Sequence, residues 1–243
     1  MAKLAAGKPL IEDLVAASRI LAEHEVLDAY GHVSARSDRR PEHFIMSRAR
    51  APALVTAADL IEWGADSEPV AGDRRKGFIE RYIHGEIYRA RPEVMAIVHS
   101  HSPSVIPFGV TQTKLRPIYH MGSFLWSGAP VWDIRKVREE NDLLVRDRLL
   151  GAALAGALGK CNCVLMRGHG MTVVGDSVQE AVFRAIYTEM NARLQLQASA
   201  LEGPIAFLSD EEGRRSTAAN RGTLERPWEL WKKEALKGKS GGK

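Results

Sequence analysis

Cysteine is nearly absent: Cys161 and Cys163 are the only two in 243 residues. One residue apart, they cannot close a useful loop, so a disulfide framework is excluded. Flanking a strand-like run, they read as reduced, partly buried thiols, which suits the cytoplasm. Long apolar runs are missing too. None approaches the roughly 20 residues that cross a bilayer, and the N-terminus lacks the charged-then-apolar order of a signal peptide, so a soluble, unexported chain with no membrane partner is expected. Charge of one sign is also lacking: 34 basic and 30 acidic residues are interspersed for a net +4. That is a solvated surface, and a nucleic-acid partner is not expected. Gly-x-Gly-x-x-Gly does not occur and no internal repeat is found, which removes the glycine-rich phosphate loop and the repeat architectures. Nothing divides the chain, and its length suffices for one large core. A single domain over 1–236 is expected, followed by a polar, disordered tail over 237–243.

What is present alternates between helical and extended patterns. Leu10, Leu14, Ala17 and Leu21 recur at helical spacing from Pro9 to about Glu25. Short strands are expected at Tyr30–Arg36 and Phe44–Ser47, and Thr56–Asp59 is expected to begin another short helix with a capping-box-like pattern. The polar run from Gly64 to Arg75 reads as a loop with a strand near Pro69–Ala71. A helix is expected over Gly77–Arg89, with Ile79, Ile83 and Ile87 on one face. Lys136–Leu158 reads as one long helix, Asn162–Met166 and Met171–Val174 as strands, and Ser177 as the cap of a helix reaching Leu201. Helices over Asp210–Asn220 and Arg226–Leu236 complete the chain. The fold class is therefore α/β: helices packed on a mixed central sheet.

The stretch with most chemistry is Val94-Met95-Ala96-Ile97-Val98-His99-Ser100-His101-Ser102-Pro103. In an extended strand His99 and His101 project to one side about 7 Å apart. They either share a metal ion or are polar residues satisfied by backbone and water at a strand end. Ser102-Pro103 reads as the cap and first turn of a helix. His169 stands between Gly168 and Gly170, a backbone shaped to let an imidazole reach something or to turn it into water. Arg48 and Arg50, in a loop after a strand, suit an anion or are ordinary surface charge. Glu80 and His84 are four apart on the expected helix.

Taken together, Tyr30-Gly31-His32-Val33-Ser34-Ala35-Arg36, Glu80-x-x-x-His84, His99-Ser100-His101-Ser102-Pro103 and Arg167-Gly168-His169-Gly170 resemble the class II aldolase/adducin family over about Ile11–Leu201. That resemblance implies a three-layer α/β/α fold with a mixed, largely antiparallel sheet. It implies one divalent ion per subunit, manganese or zinc, on His99, His101 and His169, with Glu80 as acid/base. It also implies a homotetramer, in which C-terminal residues such as Trp228 reach a neighbour's pocket.

The sugar-phosphate aldolases of the family have Gly-Asn-x-Ser where this chain has Gly31-His32-Val33-Ser34. They have Thr-Pro-Ser/Thr-Gly at Ser47-Arg48-Ala49-Arg50 and Ser-Ser at Phe78-Ile79. Three phosphate contacts are thus replaced by guanidiniums, an imidazole and a phenyl ring, a set suited to an aromatic carboxylate. In this the chain is similar to the family's decarboxylases of hydroxylated aromatic and pyridine dicarboxylates, such as those acting on dihydroxyphthalate. The expected function is metal-dependent loss of a carboxylate ortho to a ring hydroxyl, with His32, Ser34, Arg48, Arg50, Phe78, Ser102 and Tyr119 binding substrate. Glu80 and His120 are the expected proton donors. An aldol-type lyase or epimerase on a sugar or sugar phosphate, and a non-catalytic adducin-like interaction domain, are the alternatives.

Overall fold

The computed structural model describes residues 4–237; the tail expected over 237–243 lies outside them except for Lys237. Seven strands form one sheet: β1 (His32–Arg36), β2 (Phe44–Ser47), β3 (Leu60–Trp63), β4 (Ala96–Ser100), β5 (Val131–Trp132), β6 (Cys163–Met166) and β7 (Gly170–Gly175), in the order β3-β2-β1-β4-β7-β6-β5. Every pairing is antiparallel except β5 with β6. Central strands β1, β4 and β7 are buried along their whole length; Ala96–Val98 and Val173–Val174 run apolar as in a strand covered on both faces, while β1 alternates His32, Ser34 and Arg36 with Val33 and Ala35.

Helices cover both faces. On one side α1 (Lys8–Glu23), α5 (Val178–Ser199) and α7 (Glu225–Leu236) bury Leu14, Ile20, Val182 and Ile186 against Val33, Val98 and Val173. On the other, α2 (Arg81–Ala90) and α4 (Arg148–Leu158) bury Ile83, Ile87, Leu150 and Leu154 against Met46, Ile97 and Val174. Two apolar layers thus sandwich the sheet, and this is the α/β/α architecture expected from the sequence. Two further helices complete the order, the short α3 (Ile106–Val110) and α6 (Asp210–Arg221). No helix of the described residues is long and apolar enough to cross a membrane, and both cysteines are free.

Four local expectations are corrected. The long helix over Lys136–Leu158 is a helix only from Arg148 onward: Asp147 caps it by accepting the Leu150 N–H, and Leu143 upstream takes a left-handed φ of 68° that no helix tolerates. The helix expected from Gly77 starts at Arg81, leaving Glu80 at its N-cap position. The Ser102–Pro103 cap does not form. The chain turns first and α3 begins at Ile106, with Ser102 hydrogen-bonded through its hydroxyl to Ser100 at 2.9 Å. Near Pro69 there is a single bridge to Trp63 in place of a strand, followed by a 3-10 turn over Val70–Gly72.

Candidate metal centre

The sheet register builds the site. His99 is the penultimate residue of β4, paired with His32 of β1 on one side and Thr172 of β7 on the other. His101 lies one residue beyond the strand end, where the chain leaves the sheet. His169 is brought in by the tight β6–β7 turn, which needs glycine twice. Gly168 has φ +66°, and a Cβ on Gly170 would lie 2.0 Å from the Ser100 carbonyl. Glu80 enters from the opposite layer, at the start of α2.

One atom from each of Glu80, His99, His101 and His169 lies within 4.8 Å of the others. Glu80 Oε2 is 3.4 Å from His99 Nε2 and 3.5 Å from His169 Nε2, and the Nε2 atoms of His101 and His169 are 3.1 Å apart. Outer contacts fix which nitrogens face inward. His99 Nδ1–H donates to the Met171 carbonyl at 3.0 Å, and His169 Nδ1–H to the Leu143 carbonyl at 2.9 Å. Each is left with an Nε2 lone pair aimed at the common centre, the arrangement that outer-shell carbonyls give metal-ligating histidines. His99 Nε2 is fully buried and has no hydrogen-bond partner among the described residues. A buried acceptor left bare costs about 1–3 kcal/mol, and a cation at the centre would satisfy it. The donor set fits a divalent ion: imidazole nitrogens with a carboxylate suit zinc or manganese, at about 2.0–2.2 Å in the zinc case.

Electrostatics run the same way. Burial works to raise the Glu80 carboxyl, but His99 and His169 outweigh it and hold it well below the usual carboxylate range. Burial pulls His169 down, and Glu80 more than reverses this, so its value is raised. His101 is lowered to about 4 by burial and by its imidazole neighbours. An ionised carboxylate beside three converging imidazole nitrogens is a donor set that suits a cation.

Beside the cluster lies a cavity of about 400 Å³, lined by Tyr30, His32, Arg50, Lys76, Phe78, Ile79, Glu80 and His101 among others. Its size falls in the range of small-molecule sites. Two larger clefts, of about 630 and 810 Å³, lie elsewhere and do not include this cluster. The Phe78 ring packs 4.5 Å from that of His32, and exposed Tyr30 stands 6.4 Å from His101 at the mouth. Gly31, between Tyr30 and His32, has φ +83°, and a Cβ there would strike Leu27 at 2.5 Å and the His99 carbonyl at 2.9 Å.

Of the residues expected to bind substrate, His32, Arg50 and Phe78 line this cavity. Arg48 is not among the lining residues: its Nε donates to Asp59 at 2.7 Å, and Arg50 Nε lies 3.4 Å from the same carboxylate. Ser34 is fully buried, bonded to His84 and Tyr88, and Ser102 is buried against Ser100. Tyr119 and His120 are also absent from the lining. Tyr119 packs against Tyr187 and His120 is exposed, its carbonyl accepting from Asn220. Trp228 is buried in the chain's own core with Trp231.

Sequence reasoning missed Leu143, Val145, Lys76 and Tyr30. The Val145 N–H donates to Glu80 Oε1 at 3.0 Å, so the 137–147 segment, taken for helix, supplies the backbone groups that hold Glu80 and His169. Asp147 as an N-cap was the legible signal that the helix starts late.

A three-layer α/β/α chain with three convergent histidines and a carboxylate at the end of a mixed sheet defines a class of folds with a candidate metal centre. Residues 12–196 match the model of the Class II Aldolase and Adducin N-terminal domain, and the chain belongs to that family. It is 40% identical over 251 residues to the protein named decarboxylase tropJ of Talaromyces stipitatus, covering 94% of each chain. It is 36% identical over 217 residues to a 3,4-dihydroxyphthalate decarboxylase of Terrabacter sp., covering 86% of this chain and 87% of that one. Among solved structures, L-fuculose 1-phosphate aldolase from Glaciozyma antarctica superposes with a TM-score of 0.76 at 24% identity, over 93% of this chain and 88% of that one. That likeness shows the shared fold.

Proposed function

We propose that this protein is a metal-dependent decarboxylase of a hydroxylated aromatic or pyridine dicarboxylate, removing a carboxylate ortho to a ring hydroxyl. One observation carries the reading: His99, His101, His169 and Glu80 converge beside a cavity whose lining includes the rings of Tyr30, His32 and Phe78 and the cations Arg50 and Lys76. The similarity to decarboxylases over nearly the whole chain supports the same chemistry.

His99, His101 and His169 would hold one divalent ion, manganese or zinc, which when bound supplies Lewis acidity toward a substrate oxygen. Glu80 begins as a carboxylate, with Oε1 fixed by the Val145 N–H and Oε2 free toward the cluster. It takes the proton of the substrate's ring hydroxyl at Oε2. Glu80 then delivers that proton to the ring carbon bearing the departing carboxylate, giving a keto tautomer, and as the carboxylate leaves as carbon dioxide its bonding electron pair restores the aromatic ring and the negative charge on the ring oxygen. Arg50 and Lys76 pair with the second carboxylate, while Phe78 and Tyr30 flank the ring, so that the departing group is held against Glu80. Arg48 acts by orienting Asp59 and through it Arg50. Tyr119 and His120 take part only if a neighbouring copy carries them to the site, within the tetramer that the family resemblance implies. Two free thiols suit a reducing, cytoplasmic setting. A non-catalytic interaction domain is the poorer reading, because it has no use for a complete ligand set.

The test is carbon dioxide release from a panel of ortho-hydroxy aromatic dicarboxylates after chelation and restoration of zinc or manganese. Metal-dependent release is the expected result. Silence across the panel with metal bound would overturn the reading in favour of an aldol-type lyase.

A further inference from the structure

A line of buried polar side chains runs from the cavity into the core, and none of the chemistry above uses it. His32 Nδ1 lies 2.7 Å from His84 Nε2; His84 Nδ1 lies 2.6 Å from Ser34 Oγ; Ser34 Oγ lies 2.8 Å from the Tyr88 hydroxyl. All four residues are buried: His84 and Ser34 at 0% exposure, His32 and Tyr88 at 5%. The line ends at Tyr88, whose hydroxyl has no other hydrogen-bond partner among the described residues. Nearby Arg36 packs over the Tyr88 ring and spends its guanidinium on the carbonyls of Val94, Pro41, Tyr88 and Arg91. At the other end, His32 Nε2 takes no protein partner among the described residues, and His32 lines the cavity beside Phe78.

Hydrogen-bond arithmetic gives this line a direction. A nitrogen pair shares one proton and a neutral His84 carries one N–H, so the His32–His84 and His84–Ser34 links must point the same way. If the protons point outward, Tyr88 O–H donates to Ser34, Ser34 O–H to His84 Nδ1, and His84 Nε2–H to His32 Nδ1. Every buried donor is then used, and His32 carries its own proton on Nε2. If they point inward, His32 carries its proton on Nδ1 and Ser34 accepts from His84, which strands either the Ser34 or the Tyr88 O–H in the core. Stranding a buried donor favours the outward direction by roughly 5- to 150-fold.

We propose that Ser34 and His84 are positioning residues that lock His32 in its Nε2–H tautomer, so that it presents a fixed donor to an anionic oxygen of the bound aromatic carboxylate. The ligand half rests on the decarboxylase reading; the tautomer half does not. Ser34 then contributes through His32 without touching substrate. A donor held this way discriminates by chemistry: it accepts a carboxylate or oxyanion at that place in the cavity and rejects a group that must itself donate.

The experiment uses the full chain loaded with zinc, which is diamagnetic, and reads the ring nitrogens by 15N NMR, with His32→Asn assigning the His32 signals. The expected wild-type state is Nε2–H with bare Nδ1. Ser34→Ala removes the only donor to His84 Nδ1, so His32 is expected to become a mixture of both tautomers with zinc content unchanged. Tyr88→Phe leaves Ser34 donating to His84 and is expected to keep the Nε2–H state. Calorimetry with salicylate as probe is expected to show affinity falling about 5- to 10-fold in Ser34→Ala and at least as far in His32→Asn. A wild-type proton on Nδ1, or an unmoved tautomer in Ser34→Ala, overturns the relay. The wild-type spectrum alone decides the first point if Ser34→Ala does not fold. Salicylate binding that is absent, or unaffected by both variants, overturns the ligand half. A failure of decarboxylation with the tautomer intact would count against the function proposed above and not against the relay.

Discussion

Glu80→Gln is the perturbation that separates acid/base chemistry from metal retention. Glutamine keeps the shape, and its carbonyl can still accept the Val145 N–H that Glu80 Oε1 holds at 3.0 Å, so the loop over 137–147 should stay in place. What changes is the atom 3.4 Å from His99 Nε2 and 3.5 Å from His169 Nε2, which loses its charge and its ability to carry a proton. Removing a positioned general acid/base typically costs 10²- to 10⁴-fold in rate, about 3–5 kcal/mol of transition-state stabilisation. The three imidazoles remain, so metal is expected to stay bound at one ion per chain, with affinity lowered by roughly tenfold for the lost neighbouring charge.

The pH dependence supplies a second sign. In the metal-free protein, burial lowers His169 and Glu80 more than reverses this, raising it above 6.5. A proton on His169 competes with the metal, so wild-type affinity falls as pH drops through that raised value. In the glutamine variant the proton loses its partner and competes less, so its affinity curve is flatter between pH 8 and 6. Elemental analysis of the dialysed variant, metal titration at several pH values and carbon dioxide release under single-turnover conditions give the three readouts. Turnover within threefold of wild type, with metal bound, would refute the assigned role.

Three further outcomes are expected. His99→Ala and His101→Ala should each lose stoichiometric metal and activity together; a variant retaining both would remove that residue from the ligand set. Arg50→Ala should lower kcat/KM for a dicarboxylate by about tenfold, the low end for a charged hydrogen bond because Arg50 is partly exposed, while leaving a monocarboxylate analogue nearly unchanged, as steady-state kinetics on the two would show. His84 is kept neutral by burial at about 3 against an ordinary 6.5. The unfolded chain therefore binds a proton that the folded chain refuses, and stability should fall by about 1.4 kcal/mol per pH unit below 6.5 from this residue alone. Urea unfolding at pH 7.5, 6.0 and 5.0 checks it, and a pH-independent midpoint would contradict it.

Strands were legible at Phe44–Ser47 and Cys163–Met166 from short apolar runs and at His32–Arg36 from the glycine turn that enters it, whereas Leu60–Trp63 follows a capping box expected to begin a helix and is a strand only through its pairing with β2. Helices α1, α5 and α7 were legible from their 3.6-residue periodicity. The region before Arg148 was misread because its charges and leucines fit a helical face. The Asp147 cap and the left-handed Leu143 that end the irregular segment are local backbone choices enforced by contacts with Glu80 and His169, more than 20 residues away in sequence. Arg48 and Ser34 show the same limit from the side of the site. Each has the chemistry to bind an anion, and each is occupied by a partner, Asp59 or His84, that only the packed chain supplies.

The sequence by itself carried the layered architecture in its hydrophobic period, and through its resemblance to the family it pointed to the three histidines and one glutamate of the candidate site. Only tertiary structure decided that Glu80 stands at a helix cap, that backbone groups of 143 and 145 orient the ligands, and that Arg50 and Lys76 share the cavity rim while Arg48 is not among its lining residues. It alone aligned His32, His84, Ser34 and Tyr88 end to end. Register between β1 and β4 and the packing of α2 on the sheet set those distances, and both are long-range pairings that no local window of the chain contains.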